Sequence, residues 1–68
     1  MRNQRFYEQY IREYFPLLKM KFQEAVLNKN IEEQNKIKNQ IYNLKSLDYI
    51  QKEQLWNILL KIKLTNME

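Results

Sequence analysis

The chain has 68 residues, enough for one domain, and carries 12 Lys and Arg against 8 Asp and Glu, a formal charge of +4. It contains no Cys, no His and no Gly, which excludes disulfide staples, thiolate nucleophiles and the common zinc, copper and haem sites. Ser–His and Cys–His catalytic pairs cannot be assembled, and a phosphate-cradling loop lacks its glycines. No cofactor and no metal ion are expected.

The longest apolar runs, such as Ile58-Leu59-Leu60, have three residues, far short of the roughly 20 residues of a membrane span. The Met1–Arg5 segment leads into charge-laced aromatic sequence rather than the unbroken apolar stretch of a secretory leader. The expected compartment is the cytoplasm. Asn, Lys and Ile make up about a third of the chain, as an AT-rich bacterial, plasmid or phage coding sequence would produce.

Helix is favoured throughout by the absence of Gly and the abundance of Leu, Lys, Gln and Glu. Residues 4–28 read as a long first helix, because Tyr7, Ile11, Tyr14, Leu18, Phe22 and Ala25 step by three or four. Pro16 falls on the opposite, outward side, where a curved helix can hold a proline. A single kinked helix is therefore preferred to two short ones, with Phe15-Pro16 as the place of a true break in the other case.

Asn28-Lys29-Asn30 is the first turn, and Asn30 with Glu33 has the spacing of a capping box. The second helix covers residues 31–45. Glu32 and Glu33 lie at its positive end, Lys45 near its negative end, and Ile37, Ile41 and Leu44 form a narrow apolar stripe. Ser46 and Asp48 offer the next cap. The third helix covers residues 48–64 and buries Leu55, Leu59 and Ile62, with Ile58 on one flank and Trp56 and Leu60 on the other. The expected fold is a small all-α, three-helix domain over residues 1–68, its long Pro-kinked first helix packed against a helical hairpin.

Taken as one helix, the first segment presents apolar residues over an arc of roughly 200°, against the somewhat over 100° that a core-facing helix needs. Phe6, Tyr10 and Leu17 lie on one flank of that arc, and Trp56 and Leu60 lie beyond the central stripe of the third helix. These five residues are the expected surface for a partner protein or a second copy, since aromatic residues dominate interface hot spots and a domain without disulfides or metals gains from association. The function expected is that of a non-enzymatic interaction module, an inhibitor, adaptor or regulator of a larger protein, forming a homodimer or a higher oligomer.

The alternative partner is nucleic acid. Arg2, Arg5 and Arg12 accompany Tyr7 and Tyr10, and the second helix carries Gln34, Asn35, Lys36, Lys38 and Asn39 outside its apolar stripe. Asn and Gln read adenine edges, and Lys and Arg neutralise phosphate. Membrane attachment through Trp56 with Lys52, Lys61 and Lys63 is disfavoured, because the same residues suit a core helix with outward lysine heads. Enzymatic activity is not expected. Most carboxylates have simpler roles, Glu33 and Asp48 at helix starts and Glu8 and Glu32 facing Arg12 and Lys36 one turn on, and so small a helical domain has little room for a cleft.

Overall fold

The computed structural model describes residues 4–66. It contains four α-helices: α1 (Gln4–Glu13), α2 (Phe15–Leu27), α3 (Ile31–Tyr42) and α4 (Tyr49–Thr65). No strand occurs among the described residues, and no helix there is long and apolar enough to cross a membrane. Four helices, not three, correct the expected fold.

The correction lies at Pro16. Proline has no amide to give the Arg12 carbonyl, and its ring crowds the turn before it. In the first turn of a new helix that missing amide costs nothing, so α2 starts at Phe15-Pro16. Tyr14 carries the break at φ −107° and ψ −37°. Its amide still reaches the Tyr10 carbonyl at 2.9 Å, and its own carbonyl accepts from Leu18 N at 3.3 Å. At 100° per residue, the apolar side of α1 (Phe6, Tyr7, Tyr10, Ile11) and the buried side of α2 (Phe15, Leu18, Phe22, Ala25, Val26) differ by about 80°. The broad arc read from the sequence is two stripes of ordinary width, rotated against each other by the break.

The turn after α2 is a Schellman motif built without glycine. Asn30 N donates to Ala25 O at 2.8 Å, Lys29 N donates to Val26 O at 3.0 Å, and Lys29 takes the left-handed conformation at φ 56°. Asn30 then caps α3, its side chain accepting from Glu33 N at 3.1 Å. The expected capping box is half made, because the Asn30 amide is already engaged by Ala25.

Helix α3, expected as the second helix, ends at Tyr42, short of the expected Lys45, and its last carbonyl is met from outside. Lys52 of α4 donates its ammonium to Tyr42 O at 3.0 Å, supplying the positive charge expected of Lys45. The linker returns Leu47 to the core. Asp48 opens α4 with a full capping box: Asp48 Oδ1 accepts from Gln51 N at 2.8 Å, and Asp48 N donates to Gln51 Oε1 at 3.1 Å.

Contacts across the two hairpins fix the directions. Gln34 meets Ala25, while Tyr42 meets Tyr49 and Lys38 meets Trp56, so α3 runs antiparallel to both α2 and α4. Helices α2 and α4 therefore run the same way, and Phe22 packs edge-on against Trp56 between them, ring centroids 5.5 Å apart. The core is Phe15, Leu18, Phe22, Ile37, Ile41, Leu55 and Leu59, closed at one end by Tyr10 and Leu47. Helix α1 leans over the start of α4, where Tyr7 Oη donates to Gln54 Oε1 at 2.8 Å.

Candidate interaction surface

The break at Tyr14 divides the residues expected to form one flank. Tyr10 is only 7% exposed, its ring set against Phe15 in the core and against the exposed Tyr14, and Phe6 is half-buried beside it. Leu17, beyond the break, points outward. Trp56 and Leu60 are half-buried: Trp56 lies between the Phe22 edge and the Lys38 ammonium, 5.4 Å from its ring centroid. Of the five expected association residues, Leu17 alone stands fully on the surface.

Leu17 has companions that the sequence reading passed over. Leu17, Met20 and Leu27 are 60, 68 and 61% exposed and lie within about 80° of one another on α2, on the side turned from the core. The helical wheel places them together whether or not α2 is separated from α1; taken as one long helix, the apolar arc is centred on the Tyr7–Leu18 stripe and ends short of Met20 and Leu27.

An open groove of about 450 Å³ runs between α2 and the second half of α4. Its α2 wall is Lys19 and Gln23, and its α4 side is Ile58, Lys61, Ile62, Thr65 and Asn66. Its first α4 residue, Ile58, lies one turn past Gln54, where Tyr7 of α1 is bound. Among the described residues no carboxylate lines it. Near the end of α4, Thr65 Oγ1 donates to Lys61 O and Asn66 Nδ2 to Ile62 O, both at 2.8 Å.

The residues of the nucleic-acid alternative are scattered. Arg2 lies outside the described residues, while Arg5 and Arg12 are exposed on α1. Asn35, Lys36 and Asn39 are exposed on α3. Gln34 is buried and donates its amide to Ala25 O at 3.4 Å, so it is a core residue rather than a reader of bases. Lys38 is exposed, with its ammonium over Trp56.

Two polar features surround the start of α4. Gln51 is buried, and its Nε2 has no hydrogen-bond partner, although its Oε1 serves the cap. Burial, and after it the Asp48 carboxylate, raises the Tyr7 phenol above its ordinary 10.0. Burial alone raises Tyr10, and burial with Tyr49 and Glu53 raises Tyr42. These shifts keep phenols neutral and describe packing rather than a reacting group. Comparison of the chain with family models, with curated proteins and with solved structures returned no match.

Proposed function

We propose that the chain is a small non-enzymatic protein-interaction module, an inhibitor, adaptor or regulator of a larger protein, that meets its partner through the outward side of α2. The observation that carries this reading is the single row of Leu17, Met20 and Leu27. Isolated exposed leucines are ordinary on a protein surface, whereas large apolar side chains gathered on one helix side mark an interaction surface.

A partner other than a second copy is favoured by magnitude. Covering the exposed parts of these three side chains yields roughly 3–6 kcal/mol, at about 1.5–3 kcal/mol for each full burial. A symmetric dimer doubles that, which is comparable to the ~4–15 kcal/mol lost on association. The homodimer is therefore a weak complex, and a larger partner that covers further surface holds better. The nucleic-acid reading draws less support, since α3 balances Lys36 and Lys38 with Glu32 and Glu33.

The test is capture from nuclease-treated lysate by the wild type and by Met20→Asp combined with Leu27→Asp. Stoichiometric protein retained by the wild type and lost by a variant of unchanged helicity is the expected result. Retention that survives both substitutions overturns the reading, as does retention of nucleic acid alone without nuclease treatment. Sedimentation of the chain alone should give a mass near 8.6 kDa at micromolar concentration. A stable dimer there would reassign the α2 row to self-association.

A further inference from the structure

The groove between α2 and α4 has the geometry of an unfilled helix position. Two neighbouring helices that run the same way leave a furrow into which a third packs; α1 meets α4 at Gln54, and among the described residues none of α1 lines the furrow. From Ile58 onward the furrow is open, with Ile58 and Ile62 as an apolar floor and Lys19 and Lys61 at its edges.

Charge decides which occupant suits it. Among the described residues neither wall contributes a carboxylate, and the charged groups at the groove there are the Lys19 and Lys61 ammoniums, which set the sign of the local field. The floor argues against a bare phosphate backbone, which has nothing apolar to place there. We infer that the groove receives an amphipathic helical segment of the partner, with apolar side chains against Ile58 and Ile62 and Asp or Glu residues flanking them to meet Lys19 and Lys61. This rests on the interaction-module reading and extends it: on the helical wheel Met20 and Leu27 lie just outside the Lys19–Gln23 wall, so the α2 row and the groove form one continuous surface.

A displayed library of random helical peptides, selected on the whole chain, tests the inference. The expected outcome is enrichment of sequences with apolar residues at three- and four-residue spacing and carboxylates beside them. Their affinity should fall roughly tenfold on Lys19→Glu combined with Lys61→Glu, since rim charges set specificity and complementary pairs are reversed. Backbone amide shifts on binding should map to Lys19, Gln23, Ile58 and Ile62. Enriched peptides without acidic bias overturn it, as do peptides indifferent to the charge reversal. If binding is lost only on Met20→Asp with Leu27→Asp, the α2 row stands and the groove does not. If no peptide is enriched on any form of the chain, both fail.

Discussion

Lys29 occupies a backbone position that suits glycine. A side chain at φ 56° brings Cβ against its own carbonyl, costing about 1 kcal/mol or more, and the turn accepts that cost because Ala25 and Val26 carbonyls need the Asn30 and Lys29 amides. Lys29→Gly is accordingly expected to stabilise the fold by about 0.5–1 kcal/mol and to raise the thermal midpoint by roughly 3–6 °C, while Lys29→Ala yields no such gain. Scanning calorimetry of the two variants checks it. The sequence marked Asn28-Lys29-Asn30 as a turn and Asn30 as a cap, because Asn side chains have few other reasons to precede an acidic helix start. It could not say which residue turns left-handed, since no glycine announces it. Gln34 was illegible for a different reason. Its polarity suggests the surface, and only the proximity of Ala25 O makes its burial tolerable.

At the level of single helices, the caps separate two kinds of polar group at the start of α4. Asp48→Ala removes an oxygen that accepts from Gln51 N and should cost about 1–2 kcal/mol. Gln51→Leu loses the reciprocal bond to Asp48 N, but it also removes a buried amide with no partner and places an apolar group in the core. Those effects oppose each other at about 1 kcal/mol apiece, so Gln51→Leu is expected within ~1 kcal/mol of the wild type by urea denaturation. A loss as large as that of Asp48→Ala would mean that the Gln51 amide is satisfied in solution. Starts of α3 and α4 were readable from Asn30 and Asp48, whose chemistry is local. The boundary between α1 and α2 was readable only as an alternative. Phe15, 1% exposed, and Tyr14, 53% exposed, exchange the roles that one continuous wheel assigns them, and that exchange depends on how each helix meets the rest of the core.

Across the whole molecule, three phenols tie stability to alkaline pH. Tyr7, Tyr10 and Tyr42 are each raised above 10.0 in the folded chain, first of all by burial. Below the unfolded value the phenol is neutral in both states, and its full contribution is present. As pH rises through 10 the unfolded chain gives up its phenolic protons first, so the native state is progressively disfavoured until the raised values are passed. Tyr10→Phe should therefore show a shallower loss of stability than the wild type between about pH 10 and pH 11, with lysine ionisation common to both. Urea midpoints across that range check it, and parallel curves would show that Tyr10 ionises as freely folded as unfolded. The exposed area of 5336 Å² also exceeds the roughly 4,700 Å² expected for a compact chain of this mass, in keeping with a 40 Å long axis and an uncovered α2–α4 side. Helix content and the central core residues were open to sequence reading, since they follow from periodicity. The uncovered α2–α4 side was not, because it depends on which helices of the fold pack against α2 and α4.

The Tyr7–Gln54 bond joins residues 47 apart in the chain, whereas the bonds that tie α2 to α3 and α3 to α4 span 9 and 10. Closing the longer loop costs about 1.4 kcal/mol more in chain entropy than closing the shorter ones. The two hairpins are therefore expected to assemble first, with α1 docking last and lifting first, a time order that hydrogen exchange would display as the earliest opening of the α1 amides. Each lifting event lengthens the furrow on α4 toward Asp48. If the groove is a docking site as proposed, the expected consequence is a longer docking surface whenever α1 is lifted, with the first helix as the competitor for its upper half.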